Sequence, residues 1–142
     1  MTFLRYWLAP LLLSAIILGA ANDRLSGPET AGVLERAIAA MRVHVSPGAI
    51  DAANFFMRKA AHLTEYALLS ALWFRAWRGE RRGWRRDWAV LAVVLAIAVA
   101  SADEWKQSFT VEREGTPRDV VLDGCGAVLA QVVIRRRAKL PA

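Results

Sequence analysis

The sequence predicts an all-α membrane protein, a four-helix transmembrane bundle with a short amphipathic helix in the first outer connector, forming a single domain over residues 1–142. Three observations lead there. The chain of 142 residues is 56% hydrophobic, above the ~45–50% usual for soluble domains. It still carries a formal charge of +6, so apolar and basic residues must be segregated along it. The apolar residues gather in four blocks, each near the ~20 residues an α-helix needs to cross ~30 Å of hydrocarbon, with tolerance for shorter ones.

The first block, FLRYWLAPLLLSAIILGAA, covers residues 3–21. It reads as a retained span, while Arg5, the apolar run and the small residues Gly19 and Ala21 also follow the pattern of a cleaved signal segment. The second, AAHLTEYALLSALWFRAW (60–77), opens beside ionisable side chains. The third, WAVLAVVLAIAVASA (88–102), has no charged residue and is apolar all round, unlike a surface helix with one apolar face. The fourth, VVLDGCGAVLAQVVI (120–134), contains Asp123. Cys125 is the only cysteine, so no intrachain disulfide is available, and it reads as a small apolar packing residue.

Orientation follows from arginine. The connector RGERRGWRRD (78–87) carries Arg78, Arg81, Arg82, Arg85 and Arg86, and the tail carries Arg135, Arg136, Arg137 and Lys139. Short basic segments stay in the cytoplasm. Both satisfy that rule when two spans separate them, which also places the N-terminus with Arg5 inside. The expected location is the cytoplasmic membrane, multi-pass, with both termini cytoplasmic and membrane lipids as constant partners. The basic clusters flank spans as topology signals do, which argues against a nucleic-acid partner. The connector 22–57 then faces outward. Within it PETAGVLERAIAAMR (28–42) repeats Val33, Leu34, Ala37, Ile38 and Met41 at helical spacing, opened by Glu29 or Thr30 and followed by Pro47 and Gly48, which close the region.

That topology brings the ionisable residues of three helices to one level. Lys59, His62 and Glu65 fall in the first two turns of the second helix. Lys59, His62 and Tyr66 share a face at i, i+3, i+7, with Glu65 about 60° from His62 at ~100° per residue. The third helix ends in SADEWKQSF, where Asp103 and Glu104 lie one turn before Gln107. The fourth begins with Arg118 and Asp119 and has Asp123 one turn on; Arg113 precedes it. An unpaired charge in hydrocarbon costs at least ~2.5 kcal/mol, so such groups face the bundle interior and pair. The available partners are Arg118 or Arg113 with Asp119 or Asp123, and Lys59 or His62 with Glu65 or Glu104. On the fourth helix Asp123, Gly126, Ala127 and Ala130 form a stripe whose small residues permit close helix approach. His62, Glu65, Glu104 and Asp123 are conceivable metal ligands. In helical di-metal bundles, however, glutamate precedes histidine and the motif occurs twice. Here the order is reversed and single, so no metal and no cofactor is assigned.

Three stretches carry a resemblance: KAAHLTEY, then DEWKQSF, then an RxGTxxDVxxDxxG pattern formed by Arg113, Gly115, Thr116, Asp119, Val120, Asp123 and Gly126. In order and spacing, over residues 58–130, they resemble the signatures of the VanZ-like membrane protein family. Members often carry Pro-Gly immediately before the arginine of the third signature, where Val111 and Glu112 stand here. The resemblance implies a small helical membrane protein acting in cell-envelope processes. The family takes its name from a protein linked to resistance to the glycopeptide teicoplanin in Gram-positive bacteria. Three readings of the cluster stay open. It binds an envelope ligand, a cell-wall precursor or glycopeptide, at the outer face. Alternatively it is an active site on a lipid-linked or cell-wall substrate, with His62 or Glu65 as acid or base and Arg113 or Arg118 holding an anionic group. In the third reading it is a structural network fixing helix packing. Four short helices without an inverted repeat argue against transport.

Overall fold

The computed structural model describes residues 2–20, 32, 36, 40, 45–109 and 116–138. Among these the elements are four helices and no strand: α1 (Thr2–Ala20), α2 (Pro47–Arg78), α3 (Arg86–Gln107) and α4 (Pro117–Arg137). The expected amphipathic helix of residues 28–42 lies outside the described residues, apart from Gly32, Arg36 and Ala40. By length and apolar composition α3 is the one described helix that clearly suffices to cross a membrane; the apolar part of α1, Leu4–Gly19, is shorter.

The start of α2 differs most from the sequence reading. Pro47 and Gly48 do not close the preceding region; they open a helix of 32 residues. Proline at the first helical position lacks only an N–H that has no intrahelical partner there, and its φ is already helical. Lys59 thus stands 12 residues, about 18 Å at ~1.5 Å per residue, inside the helix, not in its first turns. α2 ends at Gly79, whose φ of 57° turns the chain while its N–H bonds the Arg75 carbonyl. Gly83, at φ 86°, continues that turn into α3. Both positions favour glycine because a Cβ is strained at positive φ.

The chain runs up and down, so α2 and α4 are parallel to each other and antiparallel to α3. Their register is visible in successive contacts: Lys59 to Asp119, His62 to Asp123, Leu63 to Gly126 and Ser70 to Gln131. Close approach has a specific cause. A Cβ on Gly126 would sit 2.3 Å from the Leu63 carbonyl oxygen, so glycine alone lets α4 lie against the backbone of α2. Ala127 beside it is buried and Ala130 half-buried. On α3 the inward face is Ala92, Ala96 and Ala100, spaced by four and fully buried. Midway along, Gln131 Nε2 donates to both the carbonyl and the hydroxyl of Ser70, at 3.1 and 2.8 Å.

Candidate functional site

At the end of the bundle formed by the early part of α2, the end of α3 and the start of α4, polar side chains turn inward. The helical spacing of Lys59, His62 and Tyr66 places three reaching groups one turn apart on α2. Lys59 Nζ donates to the Asp119 carboxylate. One turn deeper His62 Nδ1 stands 3.4 Å from Asp123 Oδ1, close enough for an ion pair but without hydrogen-bond geometry. Another turn on, the buried Tyr66 hydroxyl donates to Asp103 Oδ2 at 3.4 Å, and Gln107 Nε2 reaches the same oxygen at 2.9 Å. Glu104, also buried, accepts the Thr116 backbone N–H on Oε2 at 2.9 Å, which ties the end of α3 to the start of α4. Lys106 turns the other way and donates to the Leu18 carbonyl of α1.

These pairings differ from the partners expected from charge alone. Asp119 is taken by Lys59 rather than by Arg118, and His62 faces Asp123 with Glu104 beside them. The reason is register: α2 and α4 run side by side in parallel, so residues at equal depth meet. Arg118 is exposed and forms no ion pair with another described residue. Arg113 lies outside the described residues. Glu65 is half-buried on α2, off the line of His62 and Tyr66 as its ~60° offset requires. Cys125 is a further correction: it is exposed, on the side of α4 bordered by Val121 and Leu129, and is not packed inside.

Asp123 is the most enclosed acid, 1% exposed, and neither of its oxygens accepts a hydrogen bond from a described residue. Glu104 Oε1 is in the same condition. One ligand-type atom each from His62, Glu104 and Asp123 lies within 4.8 Å of the others. The sequence grouped these three with Glu65 as candidate metal ligands without assigning a metal; the structure draws His62, Glu104 and Asp123 together. Sequence reasoning overlooked the Thr116 N–H and the Ser70–Gln131 pair; the latter was legible as two polar residues inside apolar runs.

The VanZ/LLP1 family model matches residues 7–138. The chain belongs to that family. The match extends beyond the three signatures into all four helices. No curated protein and no solved structure matches the chain. Within this VanZ-like unit six residues of the signatures, Lys59, His62, Glu104, Gln107, Asp119 and Asp123, take part in the contacts of one site.

Proposed function

We propose that this VanZ-family chain is a four-span protein of the cytoplasmic membrane, with both termini cytoplasmic, and that its polar end binds an anionic envelope ligand at the outer face. The observation that carries the reading is the distribution of polarity. Asp103, Glu104, Gln107, Asp123, Ser70 and Gln131 are buried, while Leu8, Leu12, Ile16, Leu68, Val94, Val128 and Val133 are exposed. A water-soluble domain does the reverse. In hydrocarbon that arrangement is the favourable one, since apolar side chains meet lipid and charged ones find partners inside. α1, α3 and α4 measure about 28, 33 and 31 Å at ~1.5 Å per residue, against ~30 Å of hydrocarbon. The arginines of 78–86 and 135–137 lie at the opposite end of the bundle from the polar site, which supports a cytoplasmic location for them.

The ligand class follows from the cationic groups the site offers: the Lys59 ammonium, half-buried beside Asp119, and the His62 imidazole beside Asp123. A cell-wall precursor bears phosphates, and a glycopeptide such as teicoplanin bears a carboxylate; both suit cationic donors. Two measurements test the reading. In a Cys125→Ala background, Ser108→Cys should react with a membrane-impermeant thiol reagent outside intact cells and Arg82→Cys should not; the reverse pattern overturns the topology. Purified protein mixed with a lipid-linked cell-wall precursor or with teicoplanin should show a one-to-one adduct by native mass spectrometry that weakens in Lys59→Gln. Absence of both adducts, together with unchanged teicoplanin sensitivity on overexpression, overturns the ligand.

A further inference from the structure

We infer that His62, Glu104 and Asp123 form a binding site for a first-row divalent metal ion, zinc being the best fit. The inference deepens the proposed envelope-ligand site and rests on that reading only for what fills the open coordination position.

Geometry is the first support. Around a tetrahedral ion with Zn–N and Zn–O bonds of ~2.0–2.2 Å, neighbouring ligand atoms stand about 3.3–3.6 Å apart. His62 Nδ1 and Asp123 Oδ1 are 3.4 Å apart, a spacing too long for a good hydrogen bond and right for one edge of such a tetrahedron. One ligand-type atom of Glu104 lies within 4.8 Å of one from each of His62 and Asp123, and its unpartnered Oε1 is the available third donor.

The second support is unmet bonding. His62 Nδ1, both oxygens of Asp123 and Glu104 Oε1 are buried and have no hydrogen-bond partner among the described residues. Buried polar atoms are normally paired, so a group of them around one point signals a missing partner. Charge says which kind. Two enclosed carboxylates carry −2, and the one adjacent base, His62, can neutralise only half of that when protonated. Lys59 is engaged with Asp119, and Arg118 points outward. A dication with neutral imidazole and these two carboxylates sums to zero at that point, while the third buried acid, Asp103, keeps Tyr66 and Gln107 as donors.

The donor set and its supports choose among ions. One imidazole nitrogen with two carboxylate oxygens suits zinc and its neighbours, whereas magnesium and calcium prefer oxygen alone. The ligands are also held: Thr116 N–H fixes Glu104 Oε2, and the Gly126–Leu63 contact sets the distance between the helix turns that bear Asp123 and His62. Three protein ligands leave a fourth position, as in zinc sites that bind an outside ligand. A phosphate or carboxylate oxygen of the envelope ligand would occupy it. Access is from the His62 side, where the side chain is 21% exposed.

The test uses full-length protein in detergent, its affinity tag removed, stripped with a chelator and re-equilibrated with zinc. Mass spectrometry of the metal content should find one zinc per chain, and thermal stability should rise with zinc and not with the same concentration of magnesium. Losing outer-shell support alone costs about 10–100-fold in affinity, so Asp123→Asn and Glu104→Gln should each weaken zinc more than about 100-fold. Asp123→His, which keeps a ligand, should retain part of the affinity, and Lys59→Gln should leave it within about threefold, since Lys59 is not a ligand. Stripped cobalt(II)-loaded protein should show the visible absorption of a tetrahedral N/O site, lost in His62→Gln. The inference is overturned if wild type binds no more zinc than Asp123→Asn, or if magnesium matches zinc. The two proposals fail separately: an envelope-ligand adduct without zinc sinks the metal alone, and zinc without any adduct sinks the ligand alone.

Discussion

At one end of the bundle Lys59, Asp119, His62, Asp123, Tyr66 and Asp103 meet through directional contacts between charged and polar groups. At the other, Trp7 meets Trp73 and Trp77 edge to face with ring centroids 6.0 and 5.0 Å apart, and Phe74 meets Trp88 at 6.2 Å. Arginines surround that second end: Arg75 over Tyr6, Arg85 and Arg81 over Trp88, and Arg135 over Trp84. The two ends use different physics for different tasks. Edge-to-face aromatic packing fills volume and tolerates small rotations of the helices, and arginine over tryptophan suits a boundary between apolar and aqueous surroundings. The polar end allows less slack, because Lys59 meets Asp119 and His62 meets Asp123 by depth along the parallel α2 and α4, and Tyr66 reaches Asp103 across to α3. Apolar packing is therefore concentrated at one end and polar contacts at the other.

Substitutions can break that contrast. Phe74→Ala, at the aromatic end and 2% exposed, should cost the most, about 3–5 kcal/mol in unfolding from detergent, because it opens a cavity in the packed volume. Gly126→Ala comes next. Its methyl would press on the Leu63 carbonyl, and overpacking of this kind costs about 1–3 kcal/mol. Gly124→Ala, only two residues away, meets Ile97 at an ordinary 3.6 Å and should stay within about 0.5 kcal/mol. If the two glycine variants unfold alike, the close approach of α2 and α4 is not what sets the register.

Subtler changes sharpen the contrast. Tyr66→Phe preserves volume and removes only the hydroxyl that Asp103 accepts from, leaving the Gln107 bond, so about 1–2 kcal/mol should be lost. A fully packing-driven polar end would show no loss. Arg135→Gln at the opposite end should cost least, about 0.5–1 kcal/mol, read as a small fall in melting temperature. A larger effect there than for Tyr66→Phe would mean the arginines organise the bundle and the polar end is secondary.

Much of this was legible in the chain itself, for a local reason. Helical periodicity is a property of neighbouring residues, so the spacing of Lys59, His62 and Tyr66, of Asp103 and Gln107, and of Asp119, Asp123 and Gly126 already declared which side chains share a face. The apolar blocks located α1, α3 and α4 to within a few residues, and the three signatures pointed to the family. Where local signals have two meanings the reading failed: Pro47 ends one region and begins a helix with the same φ, so the first three turns of α2 were missed. Partner choice was beyond reach as well. Opposite charges on three helices can pair in many ways, and the sign of a charge carries no information about depth. The tertiary structure decided that Lys59 takes Asp119, that His62 faces Asp123 with Glu104 beside them, and that Cys125 points outward. Those outcomes depend on the rotation and register of α2 against α4, which are set where Gly126 lets the Leu63 backbone approach, a contact between residues far apart in the chain.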